Sequence, residues 1–149
     1  MPLSDTEIKA AVRAGEFKVL PRISRLNPAG VDLTIDRDLA LEPHEHSLVA
    51  SLEKVELSTN LLGILHVRSS LAREGLFASL ALVDPGFRGQ LTVSLYNAGD
   101  SRVNLKLGER FIQLSLLRLN KPATQGYSGR YQDSRGVVAS RRRRKILPV

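Results

Sequence analysis

The chain runs to 149 residues, 42% of them apolar, with a formal net charge of +7 and no cysteine. That length suits one domain with its own core and leaves little for a second, while the missing cysteines exclude disulfides, thiolate-held metals and cysteine nucleophiles. No apolar run nears the ~20 residues of a membrane span and no basic-then-apolar leader opens the chain, so a soluble, cytoplasmic protein is predicted.

The opening "LSDTEIKAAVRAGE" sets Ser4 and Glu7 at capping-box spacing, puts Ile8, Ala11 and Val12 on one face and ends at Gly15, which predicts a helix over 5–14. Beyond it the pattern shortens. Strands are predicted over 17–20, 31–35, 47–57, 61–67, 76–82, 90–97, 102–107 and 110–118, punctuated by "NPAG", "EPH", "STN", "PGFRG", "NAGD" and "LGE". Many short strands at close spacing indicate an all-β sandwich or closed barrel, here one domain over 1–119. Residues 120–149 show no periodicity and read as an arm. That arm carries the whole charge excess: eight basic side chains stand against Asp133 alone, whereas the first 119 residues hold 14 basic and 14 acidic ones. A basic arm on a neutral body can bind nucleic acid or close over a polyphosphate, and charge leaves both open.

Five stretches offer chemistry. In "NPAGVDLTID", Asp32 sits inside an apolar strand and needs a partner, either an arginine of the fold or the water shell of a metal ion. "EPHEHS" places His44 and His46 at H-x-H spacing in a polar loop without a third ligand nearby, and His66, in an apolar strand, reads as core. "VRSSLAREGL" brings Arg68, Ser69 and Ser70 to the end of an apolar strand, as a phosphate cradle or as a serine cap beside a surface arginine. "VDPGFRG" sets Asp84 before Pro85 and Gly86, the pair favoured at the centre of a type II turn; the acid either caps that turn or serves as a general base beside a pocket. "GERFIQL" is a hairpin turn leading into a strand that bears Gln113.

Taken in order, "PAGVDL", "RSSL", "VDPGFRG", "GERFIQL" and "SRGVVASR" resemble the five motifs shared by dUTP diphosphatases and dCTP deaminases, and the opening helix, "RSSLAREGL" and "RYQDSRGVVASR" resemble the deaminase branch. The resemblance spans nearly the whole chain. It implies a distorted β-barrel or jelly-roll-like dUTPase fold with a short N-terminal helix. It also implies a homotrimer whose active sites lie between subunits, each closed by a C-terminal arm, here 120–149.

The two branches part at one position. Deaminases of this kind rely on a glutamate ten residues after the motif aspartate, and counting from Asp84 that place holds Ser94. A serine is no general acid–base at neutral pH, and no histidine is expected to be placed to activate it. The resemblance therefore implies dUTP hydrolysis to dUMP and pyrophosphate, with Asp84 activating the water that attacks the α-phosphorus. Phosphates fall to Arg68, Ser69, Ser70, Gln113, Arg130 and Arg135, and the nucleoside to Ser79, Leu80, Val83, Phe87 and Tyr131, with Tyr127 as an alternative cover for the base. Mg²⁺ is implied on the triphosphate, with Asp32 in its outer shell at most. Two readings stay open beside this one: a dCTP deaminase, mono- or bifunctional, and a non-catalytic homologue binding nucleotide or, through the Arg141–Lys145 run, nucleic acid.

Overall fold

A computed structural model describes residues 1–79 and 81–142. It opens with helix α1 (Asp5–Arg13), followed by strands β1 (Phe17–Leu20), β2 (Arg25–Asn27), β3 (Gly30–Thr34), β4 (Leu39–Leu41), β5 (His46–Leu57) and β6 (Leu61–Val67). A short helix α2 (Ser69–Arg73) precedes β7 (Leu76–Ala78), β8 (Leu82–Val83), β9 (Arg88–Asn97), β10 (Val103–Leu105) and β11 (Arg110–Arg118). The strands form a four-stranded sheet in the order β1-β5-β9-β7, a five-stranded sheet β2-β3-β11-β6-β8 and a small pair β10-β4, with every named pairing antiparallel. Two sheets closing over one core is the all-β architecture expected.

The capping box forms as read: Ser4 Oγ accepts from the Glu7 backbone N–H while Glu7 Oε2 accepts from the Ser4 backbone N–H at 2.8 Å. Gly15, at φ +72°, turns the chain out of the helix. Ile8 and Ala11 are buried beneath α1, but Val12 is 39% exposed, so the apolar face is narrower than predicted. Phe17, Leu33, Leu65, Leu95 and Phe111 fill the space between the sheets with essentially no exposure. Burying side chains of this size stabilises by roughly 1.5–3 kcal/mol each. One acid lies inside that core. Glu53, in the irregular stretch of β5 between Ala50 and Lys54, accepts from the Thr34 backbone N–H (2.9 Å) and hydroxyl (2.8 Å), tying β5 to β3 across the two sheets.

Three boundaries differ from the sequence reading. The segment predicted as one strand over 76–82 is two: β7 pairs with β9 in one sheet and β8 with β6 in the other, so the chain changes sheets between them. The predicted 102–107 strand shortens to β10. The three-residue strands β2 and β4 are too short to show a period of two.

Candidate active site

Two clefts carry the polar side chains that the sequence singles out. The first, about 380 Å³, opens where β2, β3 and β11 meet the end of β6. Register explains its contents: Gln113 on β11 lies opposite Asp32 on β3 and His66 on β6, and Arg25 on β2 lies opposite Asp32 on its other side. Asp32 is 3% exposed. Its Oδ1 accepts from Asn27 Nδ2 at 2.7 Å, and its Oδ2 lies 3.3 Å from Arg110 Nη1 and 3.8 Å from Arg68 Nε. Of the two partners open to Asp32, the structure supplies the arginines. Arg68 also donates to the Arg110 carbonyl at 3.2 Å, which fixes its guanidinium at the cleft mouth beside Ser69. Two guanidiniums, those of Arg68 and Arg110, thus meet one carboxylate, Arg25 lines the same cleft, and the surplus of positive charge suits an anion.

The turn before β3 requires glycine for a steric reason. A Cβ on Gly30 would sit 2.9 Å from Gln113 Nε2 and 2.8 Å from the Leu114 carbonyl oxygen. Two expectations in this region need correction. His66 is exposed beside Gln113 rather than part of the core, because β6 turns its even-numbered residues outward. The residue capping α2 is Arg68, which makes no side-chain cap bond, so no serine caps that helix; Ser70 faces solvent away from the cleft.

The second cleft, about 540 Å³, lies against the outer face of β5 and β9. Val83, Asp84 and Phe87 form one wall, His46, Leu48 and Thr92 the floor, and Tyr127, Tyr131 and Val138 the cover. Asp84 heads a tight turn: the Phe87 backbone N–H donates to the Asp84 carbonyl at 3.0 Å and Gly86 has φ +83°, as a type II turn demands. The turn is closed by backbone alone. Among the described residues no hydrogen bond or ion pair engages the exposed Asp84 carboxylate, so it is free to act in the cleft.

The arm folds back over this cleft. The Tyr127 backbone N–H donates to the Pro85 carbonyl (2.8 Å), and the Tyr127 ring meets Phe87 edge-on at 5.7 Å. Gln132 Nε2 donates to the Gly86 and Tyr127 carbonyls, both at 2.9 Å. Further along, Gly136 and Val138 donate backbone N–H groups to Gln90 Oε1 (2.6 Å) and Thr92 Oγ1 (2.9 Å), two positions apart on both segments. Arg88 and Asp133 pair at 2.6 Å, and this guanidinium holds the Asp133 carboxyl below its ordinary value of 3.8. A depressed carboxyl contributes above its unfolded pKa and loses that contribution as the pH falls through its folded value. The ion pair is therefore expected to hold the arm through neutral pH and to release it only below about pH 4. Backbone fit is the stronger constraint. A Cβ on Gly86 would stand 2.5 Å from Gly126 Cα and 2.8 Å from the Tyr127 nitrogen. Gly86→Ala is expected to lift the arm: limited trypsin digestion read by mass spectrometry should cut at Arg130 and Arg135 at least tenfold faster while residues 1–118 stay intact, as strain of roughly 1–3 kcal/mol implies.

The remaining predicted residues are placed as follows. Ser79 continues the β7–β9 ladder, its N–H donating to the Ser94 carbonyl (2.9 Å) and its Oγ accepting from the Ser94 N–H (3.3 Å). Tyr131 accepts at its hydroxyl from the Arg141 backbone N–H. Arg130 and Arg141 exchange bonds with each other's carbonyls, and neither Arg130 nor Arg135 lines the first cleft. Leu80 and the Arg143–Lys145 part of the basic run lie outside the described residues. Sequence reasoning missed Arg25, Asn27 and Arg110, and it missed one contact altogether. His46 Nε2 stands 2.6 Å from Ser94 Oγ, and His44 Nδ1 stands 3.3 Å from the Tyr96 hydroxyl. A histidine is placed beside Ser94 after all, brought by strand pairing from nearly fifty residues away. The matching two-residue spacings, H-x-H running from the turn before β5 into its first residue and S-x-Y on β9, were the available signal.

The two clefts are far apart within one chain. Val83 pairs with Gly63 on β6, which sets Asp84 beside Leu62, and Arg68 lies six residues further along. At ~3.3 Å per residue that is about 20 Å.

Comparison with known proteins places the fold. A dCTP deaminase-like family model matches residues 35–119. The dCTP deaminase of Thermococcus gammatolerans is 41% identical over 133 residues, covering 79% of this chain and 85% of that protein. A probable deoxyuridine 5'-triphosphate nucleotidohydrolase of Sulfolobus islandicus rod-shaped virus 1 is 32% identical, covering 95% of this chain and 99% of its own. Among solved structures, the native EIAV dUTPase superposes with a TM-score of 0.62 at 23% identity over 76% of this chain and 96% of that one, a likeness of fold. With these sheets, these clefts and these relatives, the chain belongs to the dUTPase/dCTP deaminase family.

Proposed function

We propose that the protein is a dUTP diphosphatase, releasing dUMP and pyrophosphate. The observation that carries this reading is that Asp84 is the one acid among the described residues lining its cleft. Hydrolysis at phosphorus needs one carboxylate to orient and deprotonate a water; ring deamination needs a group that also shuttles protons to a departing amine. Asp84 stands at the mouth of a cleft with apolar walls, as a nucleoside site requires. The Phe87 ring, 7% exposed, packs against the sugar and leaves no room for a 2′-hydroxyl. Backbone groups of residues 81–83 and the Ser79 side chain face the base, and Tyr127 or Tyr131 covers it.

The phosphates fall to Arg68, Ser69 and Gln113, which line the first cleft, whereas Ser70 does not. Because these lie about 20 Å from Asp84 in one chain, they serve the Asp84 cleft of a neighbouring copy, as a closed homotrimer provides. Arg130 and Arg135 close over the triphosphate from the arm. Magnesium enters as part of the substrate. Both Asp32 oxygens are already engaged by Asn27 and the arginines, and no group of three or more His, Asp or Glu suited to a metal occurs among the described residues. The ion is carried by triphosphate oxygens and water, and the chain's own contribution is the guanidinium charge around the phosphates.

A second reading, dCTP deamination, has two observations behind it: curated relatives near 40% identity bear that name, and His46 adjoins Ser94. Incubation with dUTP and dCTP side by side, with pyrophosphate and ammonia assayed together, separates the two. Pyrophosphate from dUTP with no ammonia from dCTP is expected; ammonia release at a comparable turnover rate would overturn the assignment.

A further inference from the structure

We propose that Ser94, its hydroxyl proton oriented by His46, reads the substituent at position 4 of the pyrimidine; this rests on the dUTP reading of the Asp84 cleft. Ser94 lies two positions beyond Thr92 on the outward face of β9, opposite Leu48 of the cleft floor. His46 is one outward step further along β5 and leans diagonally onto it, a reach that long side chains span in an antiparallel pair. Both backbone groups of Ser94 are occupied by Ser79, so its hydroxyl is the group left to meet a ligand. With Asp84 and Phe87 holding the phosphate and sugar end of the cleft, the ring of a pyrimidine extends along the floor toward His46.

The imidazole decides what that hydroxyl offers. When Nε2–H donates to Ser94 Oγ, the hydroxyl proton turns away from the ring into the cleft and is a donor, matched to a carbonyl oxygen. In the opposite tautomer Ser94 would donate to Nε2 and present only lone pairs, matched to an amino group. The first arrangement fits uracil and sets O–H against N–H for cytosine, and an unmatched polar group in such a site costs binding. Ser94 therefore touches the substrate, and His46 is a positioning residue acting through it.

The test measures dUTP hydrolysis and competitive inhibition by dCTP on the full chain. Ser94→Ala should raise KM for dUTP about tenfold with kcat within about twofold, and His46→Ala about fivefold. In both variants Ki for dCTP should stay unchanged or fall, because the opposed O–H is removed or freed to turn. His46→Gln, whose amide can still donate to Ser94, should recover KM to within about twofold. A bond that merely staples β5 to β9 would shift Tm and spare the KM ratio. The proposal is overturned by an unchanged KM in Ser94→Ala, by equal losses for dUTP and dCTP, by a kcat that falls with KM, or by a His46→Gln no better than His46→Ala. Should the wild-type chain fail to hydrolyse dUTP at all, the diphosphatase reading fails separately. Calorimetric titration of wild type and Ser94→Ala with dUMP and dCMP then still decides: a selective loss of dUMP affinity supports the role of Ser94, and equal affinities sink it.

Discussion

Asp84→Asn is expected to lower kcat for dUTP hydrolysis by about a thousandfold, within the range a positioned general base contributes, while nucleotide affinity and fold are retained. The fold argument is local. The turn that carries Asp84 is closed by the Phe87 N–H and the Asp84 carbonyl, and Gly86 supplies the positive φ; the carboxylate takes no part. Among the described residues it has no cation or donor to lose, so an amide of the same shape leaves nothing unsatisfied. Melting temperature should therefore stay within a few degrees. Removing the negative charge relieves some repulsion toward a triphosphate, so a non-hydrolysable dUTP analogue should bind equally well or somewhat more tightly. What the amide lacks is the capacity to take a proton from water at the moment it attacks phosphorus. Single-turnover hydrolysis separates this from binding. Turnover near the wild-type rate would remove Asp84 from the chemistry.

How much of this was legible beforehand divides along one line. Features written in contiguous sequence were readable: the capping box at Ser4 and Glu7, the turn at Asp84–Phe87, and the long strands β5, β6, β9 and β11. Each depends on neighbours within a few residues, where spacing and side-chain chemistry act directly. What escaped depends on pairing between distant segments. Gln113 is named by motif order, but its neighbours Asp32 and His66 come only from register. His66 looked buried because its neighbours are apolar, yet alternation turns it to solvent. Ser94 looked unassisted because His46 is remote in sequence; the β5–β9 ladder closes that gap. The same ladder carries the arm, whose N–H groups find Gln90 and Thr92 at matching spacing although the arm itself has no period to detect.

The second large effect concerns where the site is assembled. Arg68→Ala is expected to depress dUTP hydrolysis by about a hundredfold or more through loss of phosphate stabilisation. It should fold, since Asp32 keeps Arg110 and Asn27 as partners. Asp84→Asn is inactive for a different reason, and the two defects lie about 20 Å apart on one chain. If every site draws its carboxylate from one copy and its guanidinium from another, co-refolding the two inactive variants in equal amounts must regenerate intact sites. In a closed homo-oligomer assembled at random, half the copies offering Asp84 to a site carry it unchanged, and half the copies offering Arg68 do so, giving about a quarter of the sites wild type. Activity should therefore rise from near zero to about a quarter of the wild-type value, and a chain carrying both substitutions, co-refolded with wild type, should restore nothing beyond the surviving wild-type sites. No recovery from the paired single variants, with both shown to co-assemble, would mean that one chain brings both groups to the phosphate by itself. The separation of the clefts that the pairing of β8 with β6 sets would then have to be bridged within a protomer.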